Sequence, residues 1–258
     1  MIKTEELQDL IKTILYTGYV VGEKPLSVLL IGAIGIGKSQ LISNFGKKFN
    51  KNVAICSDVT YMGILHLLKE NREFRHLIIP DFLKITMKSK TTTSNVISIL
   101  NAGIEEGIGE IHLMNFNEDF EDKTFGLITA TTKDSLSQNR KVWQTMGFLS
   151  RCLIISYDYK DDTKEQIFDF IQDRLYRSDG KNKIELPVAN IDVILPKELA
   201  KKLRNKNSTF RSQKQFQTLA MARTIMNNLN NNNPTTTQKE IDEVLKMSKF
   251  FNYDYTKI

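Results

Sequence analysis

The chain has 258 residues, of which 41% are hydrophobic, and its 36 lysines and arginines against 30 acidic residues give a formal net charge of +6. This length and apolar content exclude a small scaffold that depends on disulfides or bound metals, and they fit one large domain or a core with a smaller domain. No apolar run approaches the roughly 18 residues that a membrane span needs, and the N-terminal residues lack a signal-peptide core, so we expect a soluble, cytoplasmic protein with no membrane partner.

Strand-like and helical patterns alternate through the first 158 residues. Thr4 is expected to cap a first helix, because apolar residues recur at helical spacing from Leu7 to Leu15. Helical stretches such as 64–70 and 94–106 separate the strand-like apolar runs, which cover residues 26–31, 53–56, 77–79, 125–130 and 152–157. This alternation predicts an α/β fold, with a parallel five-stranded sheet that helices cover on both faces.

Only helical patterns follow this α/β region. They cover residues 163–176, 197–203, 212–229 and 237–251, with an asparagine-rich connection at 227–233. We therefore predict a domain boundary near 158–162. It would separate an α/β core at 1–158 from a small all-helical domain at 159–258.

A glycine-rich segment follows directly on the first strand-like run. Residues 32–39 read Gly-Ala-Ile-Gly-Ile-Gly-Lys-Ser, with the glycines, lysine and hydroxyl of a phosphate-binding loop at the required spacing. In such a loop backbone N–H groups surround the β-phosphate, Lys38 neutralises the β and γ oxygens, and Ser39 can ligate Mg²⁺. The sequence thus predicts a site for a nucleoside triphosphate and Mg²⁺. The residues expected to contact the nucleotide are Gly32, Ala33, Ile34, Gly35, Ile36, Gly37, Lys38, Ser39 and Gln40.

A carboxylate at the end of a strand neighbouring the phosphate loop would complete the metal site. Asp81 supplies it, although a simple turn after a buried strand is the alternative. ATPases usually have a glutamate directly after this aspartate to orient the attacking water, and here that position holds Phe82, so slow hydrolysis is expected. Shifting the alignment by one residue would put Asp81 in the water-orienting position and Pro80 in the metal position, which leaves Mg²⁺ to Ser39.

A water-activating base from elsewhere in the chain is another interpretation of Phe82. Glu105 and Glu106 are the distant candidates. Both also fit the solvated end of a helix, so the sequence leaves the identity of the base open.

Three later segments resemble the AAA+ ATPases. Residues 130–133, Ala-Thr-Thr-Lys, and 149–151, Leu-Ser-Arg, are similar to the sensor-1 strand and the arginine-finger region of the Holliday-junction branch-migration motors. Residues 100–107 and the hairpin-like stretch after them resemble minichromosome-maintenance and MoxR-type members. The resemblance covers nearly the whole chain. It implies an AAA+ core followed by a helical lid, with ATP as the nucleotide.

The resemblance also implies roles for individual residues. Thr132, or Thr131 beside it, would be the sensor-1 group near the γ-phosphate. Arg151 would reach into a neighbouring subunit's site and stabilise transition-state charge, a task that suits a permanently charged guanidinium, and a salt bridge is the alternative. Arg211 would be the sensor-2 arginine that contacts the γ-phosphate of its own chain, with an exposed arginine at a helix start as the alternative. Sites shared in this way imply a homo-oligomer, either a ring or a spiral.

Two function classes follow. The first is a DNA-directed ATPase of the kind that phages, plasmids and transposons carry, with a role in replication, helicase loading or target selection and with a helicase or transposase among its protein clients. The basic stretch 197–214 favours this class, because such a stretch can track phosphates. The second is a MoxR-like remodeller of proteins that does not bind DNA itself, which the acidic stretch 109–123 favours.

Overall fold

The computed structural model describes residues 4–46, 52–156, 185–204 and 209–252. In chain order its elements are α1 (Thr4–Thr17), β1 (Ser27–Gly32), α2 (Lys38–Gly46), β2 (Val53–Ile55), α3 (Tyr61–Glu70), β3 (His76–Ile79), α4 (Leu83–Thr86), α5 (Lys90–Asn101), a π-helical turn (Ala102–Glu106), β4 (Ile108–Leu113), β5 (Phe116–Lys123), β6 (Gly126–Thr132), α6 (Lys133–Thr145), α7 (Phe148–Arg151), β7 (Cys152–Ser156), α8 (Lys197–Lys202), α9 (Phe210–Asn227) and α10 (Gln238–Ser248). The predicted helix at 163–176 and the predicted boundary near 158–162 lie outside the described residues.

Five strands form one parallel sheet in the order β2-β3-β6-β1-β7. The sheet confirms the predicted fold class. Every residue of β1 and of β3 is buried. These central strands have covered faces on both sides, which explains why they read as continuous apolar runs rather than as alternating ones.

Helices cover both faces of the sheet, as the sequence pattern predicts. On one face Val28 and Leu30 of β1 pack in a core with α1, α9 and α10. On the other face Leu29 and Ile31 pack in a core with α3, α5 and α6. The C-terminal helices α9 and α10 thus share a hydrophobic core with the sheet. Within the described ranges, no helix combines the length and the apolar character that crossing a membrane requires.

One neighbour relation differs from the expectation. β3, which leads to Asp81, does not pair with β1, because β6 lies between them and pairs with both. Apolar runs in a sequence indicate how many strands there are, and they do not determine the lateral order of those strands. The insertion of β6 places its last residues between the phosphate loop and Asp81.

The parallel sheet has two chemically different ends. At its carboxyl end Gly32 and Thr132 are register partners, and at its amino end Ser27 is paired with Cys152. A strand rises about 3.3 Å per residue, so the two ends of β1 lie roughly 16 Å apart. This separation decides which of the predicted site residues can meet.

Candidate functional site

The phosphate loop joins β1 to α2 at the carboxyl end of the sheet. Gly35 and Gly37 have φ angles of +80° and +76°. This left-handed conformation strains any residue with a side chain, which explains the requirement for glycine at both positions. α2 begins at Lys38 and has no acidic residue in its first turn. The positive end of its dipole therefore faces the loop without a competing carboxylate in that turn.

Lys38 is held close to the loop. Only 7% of the residue is exposed. Its Nζ donates hydrogen bonds to the backbone oxygens of Gly32 at 3.0 Å and Ala33 at 2.5 Å. A buried ammonium requires acceptors or an anion around it. The loop thus fixes a positive charge where phosphate oxygens would be its counter-ions.

A cavity of about 400 Å³ lies at this end of the sheet, within the size range of small-molecule sites. It is lined by residues from the loop, from the segment after β3, and from the junction of β6 with α6. The predicted site residues that meet there are Ile34, Gly35, Lys38, Ser39, Asp81 and Thr132.

Asp81 follows the end of β3 and is partly exposed to this cavity. Its Oδ1 accepts a hydrogen bond from the Leu83 backbone N–H at 3.0 Å, so the residue also opens the turn into α4. The next residue, Phe82, donates its backbone N–H to the Ala130 oxygen of β6 at 2.9 Å, which ties this turn to the neighbouring strand. The turn interpretation and the ligand interpretation of Asp81 are therefore compatible.

Phe82 does not face the cavity. Its side chain is completely buried. Its ring stacks on Phe148, with 4.9 Å between ring centroids and 6° between planes, and meets Trp143 edge-on at 5.2 Å. Phe82 is thus part of the aromatic core beneath α6 and α7. A carboxylate at this position would lie in that core, so Asp81 is the carboxylate of this segment that lines the cavity.

The two candidate sensor-1 threonines differ in their surroundings. Thr132 caps α6, since its Oγ1 accepts the Ser135 backbone N–H at 3.1 Å. Thr131 is 2% exposed, and its Oγ1 has no hydrogen-bond partner among the described residues. Both threonines line the cavity. Of the two hydroxyls, that of Thr131 is the one without a hydrogen-bond partner among the described residues. The sequence alone does not show this difference.

Glu105 and Glu106 lie far from the phosphate loop. They end the π-helical turn and pair with Arg151, at 2.7 Å from Nε to Glu105 and 2.9 Å from Nη2 to Glu106. Arg151 directly precedes Cys152 at the amino end of the sheet. Neither of these candidates for the water-activating base lines the cavity with Lys38, and the carboxyl end of the sheet lies roughly 16 Å from Arg151 along β1. Their position therefore does not fit activation of water at the nucleotide of their own chain.

The salt bridge that was the alternative for Arg151 is therefore present. The side chain is 15% exposed, and its Nη1 also donates to the Gly147 backbone oxygen at 3.0 Å. From the amino end of the sheet this guanidinium does not reach the loop of its own chain. A role as an arginine finger requires a nucleotide held by another copy, and that role stays a prediction.

The structure does not bring Arg211 to the phosphate loop. This arginine lies in the first turn of α9, where its Nη1 donates to Ser150 Oγ at 2.7 Å. Together with Arg151 and Ser27 it lines a second cavity, of about 330 Å³, at the amino end of the sheet. The expected contact of Arg211 with the γ-phosphate of its own chain does not fit this position. The prediction that Arg211 lies at a helix start is confirmed. The sequence of that helix start does not specify how α9 packs against the rest of the protein.

Sequence reasoning missed two polar residues of the first turn of α6. Asp134 and Ser135 both line the cavity with Lys38. Their position directly after the threonines at the end of β6 was the available signal. Since parallel strands end at one side of the sheet, residues that follow β6 lie beside residues that follow β1.

Comparison with known proteins agrees with this geometry. A family model described as the KAP family P-loop domain matches residues 4–253. That range includes the phosphate loop, the whole parallel sheet and the C-terminal helices. A search of curated proteins returned no match. The chain belongs to the KAP family of P-loop NTPase domains.

Proposed function

We propose that this P-loop NTPase domain binds Mg²⁺ and ATP in the cavity at the carboxyl end of the sheet and hydrolyses the nucleotide. The observation that carries the proposal is the meeting of Lys38, Ser39 and Asp81 in one cavity. An ammonium, a hydroxyl and a carboxylate are the groups that phosphoryl transfer requires, because its catalysis depends on positioning and on neutralising phosphate charge.

The residues around the cavity fit both the nucleotide and the metal. The unpartnered hydroxyl of Thr131 can donate to a phosphate oxygen. Ser39 and Asp81 offer the hard oxygen ligands that Mg²⁺ prefers. The metal, when bound, neutralises charge on the phosphate oxygens. The chain itself supplies Lys38 as a further counter-charge and the backbone of Gly35 and Gly37 as the cradle.

Asp81 has two open roles, as a metal ligand and as the residue that orients water. The Asp81→Asn variant separates them when turnover is measured across a titration of Mg²⁺. If Asp81 is a metal ligand, the variant should need more Mg²⁺ than the wild type for half-maximal turnover. If Asp81 orients the attacking water, the variant should have a lower maximal rate while its Mg²⁺ requirement stays that of the wild type.

Hydrolysis is tested by phosphate release from ATP. We expect turnover in the wild type and none in Lys38→Ala. The matched control is Lys246→Ala, which removes an exposed lysine from α10, away from the cavity. Absence of phosphate release from the wild-type protein, alone and with DNA, would refute the hydrolase proposal.

The AAA+ resemblance leads us to propose further that the protein works as a homo-oligomer, with Arg151 of one copy acting at the nucleotide of the next. In support, Arg151 directly precedes β7 at the amino end of the sheet, too far from its own loop to act there. Mixing Lys38→Ala with Arg151→Ala protein tests this idea. The mixture should recover turnover, since intact sites form where a copy with Lys38 meets a copy with Arg151. No recovery in a stable mixed oligomer would refute the shared site.

DNA is the client that we propose. The support is an exposed basic group on and after α8. Glu198 is the one acidic residue in the segment 197–204, and the basic members are Lys197, Lys201, Lys202 and Arg204. Basic residues bind the phosphate backbone with an affinity that falls steeply with salt. Fluorescence anisotropy with labelled DNA, at several salt concentrations with and without ATP, measures this. Loss of binding on reversing Lys197, Lys201 and Lys202 to glutamate supports the proposal.

A protein client is the second candidate, and the β4–β5 hairpin favours it. Met114 at its tip is 99% exposed. The exposed residues next to Met114 are uncharged or histidine, and acidic residues are exposed farther along both strands; these are Glu110, Asp119, Glu121 and Asp122. Negative charge at these positions would repel a phosphate backbone. If anisotropy shows no DNA binding at low salt, the DNA proposal fails and the protein client is the one to pursue.

A further inference from the structure

Ser135 carries a hydroxyl that the fold leaves unused. The residue lies in the first turn of α6 and lines the cavity that also contains Lys38 and Asp81. It is 3% exposed, and its Oγ has no hydrogen-bond partner among the described residues. Thr131, four positions earlier, presents a second buried hydroxyl in the same condition.

Two such hydroxyls in residues that line one cavity are unusual. A buried polar group without a partner costs stability, and nearly all buried polar groups in folded proteins have one. A serine in the middle of a helix can donate to a carbonyl of the preceding turn, but Ser135 lies in the first turn of α6, where the helix offers no such carbonyl. Two cavity-lining residues with buried, unpartnered hydroxyls point to a ligand that supplies their partners.

The backbone holds Ser135 in place without any ligand. Its N–H donates to Thr132 Oγ1 at 3.1 Å, and its C=O accepts from Asn139 Nδ2 at 2.9 Å. Leu136 and Trp143 are completely buried and anchor α6 against the sheet. The backbone that carries the hydroxyl is therefore set before binding, which reduces the ordering cost of a contact.

The order of the strands identifies the part of the ligand that lies nearest. Thr132 is the register partner of Gly32, and the Phe82 N–H bonds Ala130. The end of β6 thus lies between the phosphate loop and the segment that carries Asp81. A triphosphate with its β-phosphate in the loop extends its terminal phosphate toward this gap.

We propose that Ser135, together with Thr131, binds the terminal phosphate of the nucleotide and sets the preference of the site for a triphosphate over a diphosphate. The inference rests on the proposed nucleotide site and adds a residue to it. Each hydroxyl donates one hydrogen bond to a charged phosphate oxygen. A diphosphate lacks that phosphate and leaves both hydroxyls without a partner.

The test compares the dissociation constants of ATP and ADP for the wild type and Ser135→Ala in the presence of Mg²⁺. The preference for ATP should fall about tenfold in the variant, with ADP affinity unchanged, because a hydrogen bond to a charged group is lost. Thr131→Val, which keeps the side-chain shape, should lower the preference in the same direction. Ser137→Ala is the control, since Ser137 is exposed on the same helix and does not line the cavity.

A melting experiment without nucleotide gives an independent readout. Removing an unpartnered buried hydroxyl should leave the melting temperature of Ser135→Ala unchanged or raise it. A lower melting temperature with an unchanged ATP preference would show a structural role and overturn the inference. If the wild type binds ATP, Lys38→Ala does not, and Ser135→Ala keeps the wild-type preference, this inference fails while the nucleotide site stands. If the wild type binds no ATP, both fail.

Discussion

Arg211 donates to one oxygen of Glu105 from Nε at 3.0 Å and from Nη2 at 2.5 Å. The other oxygen of the same carboxylate pairs with Arg151. A single carboxylate thus connects the first turn of α9 to the residue that precedes β7. The connection holds both arginines at the amino end of the sheet, away from the phosphate loop of their own chain.

This position predicts that Arg211→Ala does not weaken the binding of ATP. The dissociation constant should stay within about twofold of the wild type, because the arginine lies roughly 16 Å from the loop along β1. The free energy of unfolding should fall by about 1 kcal/mol or less, since the ion pair is partly exposed. Isothermal titration and urea unfolding measure the two quantities. A tenfold loss of ATP affinity in Arg211→Ala would instead support the expected contact between Arg211 and the γ-phosphate bound by the same chain.

Arg151→Ala should separate binding from turnover. We expect an unchanged dissociation constant for ATP and a fall in turnover of at least about 100-fold, since arginine fingers contribute 10³ to 10⁵ in rate. Lys246→Ala is a control, because it removes an exposed cation of α10 outside both cavities. Turnover at the wild-type rate in an oligomer of Arg151→Ala would retire the finger assignment.

Phe82→Glu should destabilise the protein rather than accelerate hydrolysis. The substitution removes a stacked aromatic side chain and places a carboxylate in its core. Removing a buried phenylalanine costs about 3–5 kcal/mol, and an unpaired buried charge adds to the loss. Urea unfolding checks the size, with Phe82→Leu as a milder control that should cost about 1–2 kcal/mol. A faster, fully stable Phe82→Glu protein would show that the family's usual alignment is the correct one.

His76 should make stability depend on pH. The residue is buried in β3, and burial, together with the positive charge of Arg75, lowers the pKa of its imidazole from 6.5 to about 3. The folded state therefore stays unprotonated where the unfolded state binds a proton. Stability is fully present above pH 6.5 and is lost as pH falls toward 3.

The expected loss from His76 is about 2 kcal/mol between pH 8 and pH 5, since each pH unit below the unfolded pKa costs about 1.4 kcal/mol. Urea unfolding at several pH values measures it. His76→Gln should remove this part of the pH dependence, whatever its effect on stability at pH 8. Identical pH profiles for the two proteins would contradict the neutral, buried imidazole.

The sequence predicted those parts of the fold and site that depend on contiguous residues. The glycines, Lys38 and Ser39 stand in one segment, and each parallel strand carries its own apolar run. The lateral order of strands is a property of contacts between segments, so the place of β6 between β1 and β3 was not predictable. The position of Arg211 depends on how α9 packs against α1, which the helical pattern of α9 does not specify.

The side-chain environment accounts for the remaining differences. In the sequence Phe82 stands where ATPases usually have a glutamate, and sequence alone does not show that its ring fills a core with Phe148 and Trp143. The hydroxyl of Ser135 looks ordinary until its burial and lack of a partner are known. Three-dimensional contacts thus changed which residues of the site are expected to act, while the loop itself was identified from its motif.

The measurement that tests the central claim most directly is calorimetric titration of the wild type and Lys38→Ala with ATP, in Mg²⁺ and in EDTA. We expect the wild type to bind ATP, more tightly with Mg²⁺, and Lys38→Ala to show no binding in either condition while it unfolds in urea like a folded protein. Equal affinity of both proteins for ATP would contradict a site built around the ammonium of Lys38.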